Sequence, residues 1–315
     1  MSSWAKHPLA HRLSRYVNSW ERNRPRWIRR RILAFPPIRC EPHPPVLAVL
    51  CEADKFTDGL WCAWSWMRFL RRQVRLHLFV DGAIPAENRD AFTRLFPGAE
   101  LSSMPEFLAA QPAPSPSFQT FLDGYRYARK LSLILHLQQT SPVLYSDSDV
   151  IAFHRPDALI AAIAAIGATT AGAYLTDPGS RSDQTCVDPW IRGQAAKLSL
   201  PCVTDLNSGV LWMPRGSIDP ALVERLLTGW HAGVYYHFAE QTILAVLFGA
   251  SGATPLPEKD YVLSGQGMHF WERDLPCDEL TVRHYVGLVR HRMYSSAYPF
   301  LARQLKDRQP GRSLI

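Results

Sequence analysis

Two aspartates one residue apart, Asp147 and Asp149, stand inside an otherwise apolar stretch, VLYSDSDVIAF (residues 143–153). Residues i and i+2 of an extended chain face the same side, with Cα atoms about 6.5–7 Å apart. Two carboxylates at that spacing can converge on one cation, and their oxygens suit Mg²⁺ or Mn²⁺. Most Asp-x-Asp triplets are solvated turns or helix caps, but such turns are rarely flanked by buried strands. The apolar flanks therefore favour a metal site.

The elements around these aspartates alternate between two kinds. Strand-like runs lie at 46–51, 75–82, 99–104 and 143–146, and helix-like runs at 59–72, 85–96 and 121–139. This alternation predicts βαβ units, and hence an α/β fold with a mostly parallel central sheet flanked by helices. Such sheets bind ligands beyond the carboxyl ends of their strands, where the run 143–146 places both aspartates.

The second half of the chain mixes its elements more. Strands are predicted at 169–175 and 208–214, and helices at 220–233 and 239–250. The long polar loop 176–190 and the segment 263–272 are candidate lids or acceptor-binding walls. Their aromatic residues are suited to stacking on sugar rings or to ordinary core packing; they are Trp190, Phe270 and Trp271.

Four more motifs accompany LYSDSDVIAF in a fixed order: YARKL (127–131), LNSGVLWM (206–213), EQTIL (240–244) and HYVGLVRHR (284–292). Together they resemble the GT-A-fold glycosyltransferases, which use nucleotide-diphosphate sugar donors. The pattern is most similar to the retaining group that includes glycogenin and the lipopolysaccharide galactosyl- and glucosyltransferases. The chain departs from that group at Glu240, which replaces Asp, at Arg290, which replaces Lys, and at 291–292, where His-Arg replaces Pro-Trp.

The resemblance implies a metal site for Mn²⁺ or Mg²⁺ with Asp147, Asp149 and His284 as its protein ligands. It also implies that Arg290 and the backbone near Gly287 hold the diphosphate of the donor. A guanidinium binds phosphate oxygens in a bidentate manner, so arginine in place of lysine keeps the charge and changes the geometry. A lone histidine is more often structural than a ligand, and the spacing of His284 to Gly287 and Arg290 is what favours the ligand role.

Further donor contacts follow from the same resemblance. Asn207, Glu240 and Gln241 are implied as the catalytic, sugar-binding group, although turn and helix-cap roles would also explain them. Adjacent Arg129 and Lys130 cannot share one helix face, so one of the two is expected to face the donor. The resemblance selects Arg129.

The first strand adds two more candidates. Glu52 and Asp54 follow it and are candidates for binding the nucleoside, a role for which solvated loop acids are the alternative.

The predicted activity is metal-dependent transfer of a hexose from a nucleotide-diphosphate sugar, in particular a UDP-sugar. The acceptor is expected to be a saccharide or a lipid-linked saccharide. Two alternatives remain open. Haloacid-dehalogenase-type phosphatases also place Asp-x-Asp after an apolar strand, with the first Asp as nucleophile. A sugar-nucleotide-binding domain without turnover would retain the same residues.

Charge divides the chain into parts. Residues 1–39 carry ten Lys or Arg and one acid, so the remainder has a net charge of −2, which argues against a nucleic-acid partner. The predicted organisation is a basic arm (1–44), a GT-A domain (45–300) and a C-terminal tail (301–315). The arm, with its tryptophans, is suited to an anionic membrane surface; a transit peptide and a helix strapped to the domain are the alternatives.

Localisation is predicted from two further features. The uncharged stretch 158–175 imitates a membrane span, but its many Ala, Gly and Thr residues favour a buried helix followed by a strand. The six cysteines form no CxxC pair, and the N-terminus carries no apolar block typical of a signal peptide. We therefore expect a cytoplasmic protein, peripheral at the inner face of the membrane if the arm binds lipid.

Overall fold

The computed structural model describes residues 9, 12–14, 16–18, 26–42, 45–167, 171–179, 187–234 and 236–306. The strands are β1 (Val46–Glu52), β2 (Arg75–Asp81), β3 (Glu100–Ser103), β4 (Val143–Asp147), β5 (Val150–Ala152), β6 (Ala173–Thr176), β7 (Leu206–Met213), β8 (Thr254–Pro255), β9 (Tyr261–Leu263) and β10 (Val282–His284). The helices are α1 (Arg26–Arg30), α2 (Phe56–Leu70), α3 (Ala86–Leu95), α4 (Met104–Ala109), α5 (Pro116–Gly124), α6 (Ala128–Thr140), α7 (Asp157–Ala164), α8 (Pro189–Lys197), α9 (Pro220–Leu227), α10 (Ala239–Ala250) and α11 (Tyr298–Lys306). A three-residue helix (Arg290–Arg292) and a π-helical turn (Met293–Ala297) lead into α11.

A seven-stranded sheet in the order β3-β2-β1-β4-β7-β6-β8 forms the centre. The strands β3, β2, β1 and β4 are parallel, β7 runs antiparallel to β4 and β6, and β8 runs parallel to β6. Side chains alternate along β1, so that Leu47 and Val49 pack in the core that includes α2, whereas Val46 and Ala48 pack in the core that includes α6 and α10. The predicted α/β fold with a mostly parallel, helix-flanked sheet is confirmed.

A second, three-stranded sheet in the order β5-β10-β9 adjoins the first. The chain leaves the large sheet at the end of β4, turns through Ser148 and Asp149, and enters the small sheet as β5. Strand β10 pairs antiparallel with β5, and this register sets His284 opposite Val150. One short turn therefore joins the two sheets; Asp147 ends the strand before it and Asp149 lies in it.

The single helix predicted for 121–139 is wrong, because the chain breaks it into α5 and α6. Gly124 ends α5 where a Cβ atom would lie 2.8 Å from the ring of Trp230. Tyr125 is extended, and its hydroxyl donates to the carbonyl of His237 at 2.7 Å. Glycine has low helix propensity, and these tertiary contacts stabilise the break.

The stretch 158–175 contains a helix and a strand, as predicted, although α7 buries only the side of Leu159 and Ile163. Within the described ranges, no helix is long and apolar enough to cross a bilayer. Five of the six cysteines lie in the described part of the chain and are free thiols. The cytoplasmic location stays a prediction.

Both predicted termini contribute to the core. Ile28 and Ile32 of the predicted arm are buried among core residues. The predicted boundary after residue 300 falls inside α11, of which Leu301 and Ala302 are buried.

A buried ion pair attaches the arm to the domain. Arg29 donates to the Asp58 carboxylate at 2.9 Å, and Asp58, only 1% exposed, also accepts from the hydroxyls of Tyr294 (3.0 Å) and Tyr298 (2.9 Å). Removal of one partner from a buried pair leaves the other charge uncompensated, which costs about 3–5 kcal/mol.

We therefore expect Arg29→Met to lower the free energy of unfolding by about 3 kcal/mol in urea denaturation. Its neighbour Arg30 is exposed, so Arg30→Met serves as the control and should change this value by about 0.5 kcal/mol or less. Equal losses in the two variants would contradict a stabilising role of the Arg29–Asp58 pair.

Candidate functional site

A cavity of about 500 Å³ lies beyond the carboxyl ends of β1, β2 and β4. This is the edge at which parallel α/β sheets bind their ligands. The antiparallel strand β7 begins at the same edge, and α10 begins beside it. Ten of the eleven sequence-predicted site residues line the cavity: Glu52, Arg129, Asp147, Asp149, Asn207, Glu240, Gln241, His284, Gly287 and Arg290. The exposed Asp54 is the one that does not.

Asp147, Asp149 and His284 meet at one point of this cavity. One potential ligand atom from each lies within 4.8 Å of the others. The Nε2 atom of His284 lies 3.1 Å from Asp149 Oδ1 and 3.9 Å from Asp147 Oδ2. The strand pairing of β10 with β5 delivers the imidazole to two carboxylates that precede it by more than 130 residues.

The hydrogen bonds of Asn207 decide which ring nitrogen of His284 carries a proton. The backbone N–H of Gly209 donates to Asn207 Oδ1 at 2.9 Å, which identifies that atom as the acceptor oxygen. His284 Nδ1 lies 2.9 Å from the same oxygen and must therefore be the donor. In the neutral ring Nε2 is then unprotonated, so its lone pair faces the cavity, as a metal-binding histidine requires.

This arrangement fits a divalent cation. In the neutral tautomer, the lone pair of His284 Nε2 and the carboxylate of Asp149 face each other at 3.1 Å. Two acceptors at this distance repel unless a proton or a cation lies between them. Adjacent ligands of an octahedral ion with bonds of about 2.1 Å are about 3 Å apart, so the spacing suits Mg²⁺ or Mn²⁺. The donor set of two carboxylates and one imidazole suits these ions as well.

Gly209 makes room for the imidazole. A Cβ atom on Gly209 would overlap Cε1 and Nδ1 of the His284 ring. The glycine in LNSGV thus has a packing reason, which no local pattern reveals.

Arg290 completes the site on the side of the carboxylates. It donates to Asp149 Oδ2, and its Nε atom is buried without a hydrogen-bond partner in the described residues. Burial raises the pKa of Asp149, but Arg290 and then His284 outweigh burial, so this pKa lies well below its usual range. Asp149 is therefore an anion at neutral pH.

Lys130 is the site residue that the sequence analysis missed. Its Nζ atom lies 3.2 Å from both oxygens of Asp147 and donates to Ser208 Oγ at 2.9 Å. The hydroxyl of Tyr145 donates to the same carboxylate at 2.6 Å. Burial lowers the pKa of Lys130, but the carboxylates of Asp147 and Glu240 more than offset burial, so the amine stays charged.

The helical spacing of the sequence does contain a signal that Lys130 lies on the buried side of its helix. Counting three, four and seven positions onward from Lys130 reaches Leu133, Ile134 and Leu137, which makes one apolar face. Counting the same steps from Arg129 reaches Ser132, Leu133 and His136, a more polar face.

Arg129 and Glu52 lie at the outer part of the cavity. The guanidinium of Arg129 pairs with Asp81 at 3.1 Å, and its side chain is 53% exposed. Glu52 pairs with Lys55 and lies 3.8 Å from Arg126. Both residues line the cavity and are partly exposed to solvent.

Glu240 and Gln241 begin α10 and have different surroundings. Gln241 Oε1 accepts from the backbone N–H of Ser208 at 3.2 Å. Glu240 Oε1 is buried and, among the described residues, has no hydrogen-bond partner, with Lys130 Nζ 3.7 Å away. Burial raises the pKa of Glu240 to about 7, an effect that Asp147 reinforces and Lys130 opposes.

We expect Asn207→Ala to weaken Mn²⁺ binding by about 10–100-fold, because the variant loses the group that sets the proton and orientation of His284. Isothermal titration with Mn²⁺ measures the effect. Asn88→Ala, on α3 away from the cavity, is the matched control. Unchanged Mn²⁺ affinity in Asn207→Ala would contradict the assignment of the His284 tautomer.

No protein-family model matches the sequence, and no curated protein sequence is significantly similar to it. Among solved structures, the chain is similar to the galactosyltransferase LgtC in complex with donor and acceptor sugar analogs. The TM-score is 0.50 at 14% identity, over 77% of this chain and 87% of that chain. The apo WbbM bifunctional glycosyltransferase follows with a TM-score of 0.48 at 12% identity, over 85% of this chain and 52% of that chain.

A third similar structure is core-mannan synthase A (CmsA/Ktr4) from Aspergillus fumigatus in its Mn/GDP form. Its TM-score is 0.42 at 12% identity, over 67% of this chain and 72% of that chain. The likeness to LgtC has the highest TM-score of the three and spans most of both chains. The helix-flanked sheet and this likeness together show that the chain has the fold of the GT-A glycosyltransferases.

Proposed function

We propose that this protein transfers a hexose from a nucleotide-diphosphate sugar, a UDP-sugar in the first instance, to a saccharide or lipid-linked saccharide acceptor. The observation that carries the proposal is the cluster of Asp147, Asp149 and His284 at the base of the cavity, with Arg290 beside it. A divalent metal and a diphosphate ligand are what this combination of charges would bind.

Asp147, Asp149 and His284 would hold Mn²⁺ or Mg²⁺. When bound, such an ion supplies Lewis-acid stabilisation of the negative charge that grows on a diphosphate leaving group. In the reaction, the bond between C1 of the sugar and the phosphate oxygen breaks, and the electron pair leaves with the nucleotide diphosphate. The acceptor hydroxyl would form the new bond to C1 and pass its proton to the departing diphosphate oxygen.

Arg290 would bind the diphosphate oxygens. Its Nε atom is buried without a hydrogen-bond partner in the described part of the chain, and a phosphate oxygen would satisfy it. Gly287, with a φ of +47°, lines the same part of the cavity and has no side chain to keep a phosphate from its backbone. Fixed positive charge of this kind stabilises the leaving group without reorganisation.

Glu240 would bind the sugar. Glu240 lines the cavity, and its Oε1 atom is buried without a hydrogen-bond partner among the described residues, which is costly. A hydroxyl of the donor hexose would supply the missing hydrogen bond. Asn207 and Gln241 hydrogen-bond each other at 3.5 Å and support the floor of this region, with Asn207 acting through His284.

The two alternative functions, a phosphatase and a sugar-nucleotide-binding domain without turnover, differ from a transferase in the chemistry that they predict. A phosphatase would use Asp147 as a nucleophile and form an aspartyl-phosphate on it. Both oxygens of this carboxylate lie 3.2 Å from Lys130 Nζ, and Oδ1 also accepts from Tyr145, so the group is held as a neutralised anion. A binding domain without turnover would leave the sugar nucleotide intact.

Isothermal titration with a panel of nucleotide diphosphates, with and without Mn²⁺, tests the proposal together with an assay for nucleotide diphosphate released from sugar donors. A transferase binds the diphosphate only with metal and releases it faster when an acceptor is added. Metal-independent binding with an intact donor would identify a binding domain. An aspartyl-phosphate adduct detected by mass spectrometry would identify a phosphatase.

A further inference from the structure

A helical segment near the N-terminus faces the protein with its polar side. Residues 9, 12–14 and 16–18 are helical. Ser14 and Asn18 are each 2% exposed. Ser14 Oγ lies 2.9 Å from His269 Nδ1, and Asn18 Nδ2 donates to the carbonyl of Met268 at 2.7 Å. The segment therefore docks on the loop 264–274 through hydrogen bonds.

The apolar side of the same segment faces outward. Leu9, Leu13 and Tyr16 follow the i, i+4, i+7 spacing of one helix face and are 68%, 48% and 75% exposed. A surface helix of a globular protein normally buries such a face. The orientation is thus the reverse of the usual one, and the buried polar contacts of Ser14 and Asn18 hold it there.

The loop that receives this segment also exposes large apolar side chains. Phe270 and Trp271 are each 40% exposed and follow directly on His269, the residue that contacts Ser14. The Trp271 ring stacks on the His269 ring with centroids 4.7 Å apart. The two exposed aromatic side chains thus directly follow the residue on which the helical segment docks.

Two arginines hold the backbone of this loop. Arg292 donates to the carbonyls of Gly267 at 2.9 Å and of His269 at 3.0 Å. Arg283, fully buried on β10, donates to the carbonyl of Gln266 at 2.9 Å. Because these contacts fix the backbone of the loop, the two aromatic side chains lose less conformational entropy when they bind a partner.

We propose that Leu9, Leu13, Tyr16, Phe270 and Trp271 form a docking surface for an anionic lipid bilayer. Aromatic and aliphatic side chains flanked by arginines are suited to the region between headgroups and acyl chains. The positive charge of the N-terminal segment favours an anionic bilayer over a second protein as the partner of this surface. Residues 1–39 carry a net charge of +9, and Arg12, Arg30 and Arg39 are exposed.

In the sequence, part of the docking surface closely follows a residue that lines the cavity. The loop 264–274 starts directly after Leu263, which lines the cavity and pairs with His284 in the small sheet. A bilayer on this surface would bring the cavity to the level of membrane-bound acceptors. This consequence rests on the proposed transferase function and narrows its acceptor to a saccharide anchored in lipid.

Co-sedimentation of the full chain with phosphatidylcholine vesicles, with and without phosphatidylglycerol, tests the surface. We expect binding to the anionic vesicles, and a loss of at least about tenfold in affinity in Leu13→Glu/Tyr16→Glu and in Phe270→Ser/Trp271→Ser. The matched control is Ile166→Glu, which changes an apolar residue of similar exposure at 41% outside the surface and should bind like the unaltered chain. Circular dichroism melting checks that all variants are folded.

The proposal would be wrong if the folded double variants bound vesicles as well as the unaltered chain. It would also be wrong if the chain bound neutral and anionic vesicles equally. A third contrary outcome is that the chain binds no vesicles and instead self-associates, with the same variants abolishing the self-association. The last outcome would assign the surface to a second copy of the chain. Sedimentation does not require catalysis, so a protein that binds vesicles through these residues but consumes no sugar nucleotide would retain the docking surface and lose the proposed transferase function.

Discussion

Replacement of Asp149 with asparagine is expected to lower kcat/KM for sugar transfer by about 10³-fold, the effect of losing about 4 kcal/mol of stabilisation of the leaving group. Asp149 contributes one of the two carboxylates of the cluster and also positions His284 and Arg290. Asparagine keeps the shape of the side chain but removes the charge, so the cluster loses half of its anionic ligands. The affinity for Mn²⁺ should fall in parallel.

Release of nucleotide diphosphate from a sugar donor measures this effect, and titration with Mn²⁺ measures the metal affinity. Asp54→Asn is the matched control, since Asp54 is an exposed carboxylate outside the cavity, and it should change neither value. A chelator added to the unaltered protein should reproduce the loss seen in Asp149→Asn. Transfer that persists in both experiments would contradict a metal-dependent reaction at this cluster.

The second large effect is expected for Lys130→Met, which should lower kcat/KM by about 10²–10³-fold. The ammonium of Lys130 is the cation between Asp147 and Glu240, with Nζ–oxygen distances of 3.2 Å and 3.7 Å. Methionine retains the apolar stem but removes the cation that neutralises Asp147. Because the pKa of Glu240 is about 7 even beside Lys130, Glu240 would take up a proton in the variant, and Asp147 would lose the contact that holds it in the cluster.

Arg129→Met is the matched comparison, because the two cations are adjacent on α6 and differ in their surroundings. Arg129 pairs with Asp81 where its side chain is half exposed, so its loss should cost about tenfold or less in kcat/KM. A thermal melt distinguishes loss of function from loss of the fold. If Arg129→Met were the more damaging variant, the donor contact implied by the family resemblance would be correct and the role of Lys130 would be wrong.

Lys130 and Arg129 also illustrate how the resemblance and the structure differ. The motif YARKL places two cations side by side, and the resemblance by itself selected Arg129. Only the position of α6 against β4 and β7 places Lys130, and not Arg129, at Asp147 and Ser208.

Tertiary contacts also explain the break between α5 and α6. The stretch 121–139 has continuous helical character, and nothing in its period marks residue 124 as an end. Trp230, more than a hundred residues away, occupies the space beside Gly124, and the hydroxyl of Tyr125 bonds to His237. Glycine is only a weak local signal for a helix end, and these tertiary contacts fix the end of α5 at Gly124.

Local patterns in the sequence by themselves determined the alternating strands and helices and the pair of aspartates at the end of a buried strand. Those patterns depend on neighbours two to four residues apart, which the chain carries in any fold. The approach of His284 to Asp149, the proton that Asn207 sets on its ring and the choice of Lys130 were decided only by the tertiary structure. They depend on the pairing of β5 with β10 and on packing between distant elements, for which no local period exists.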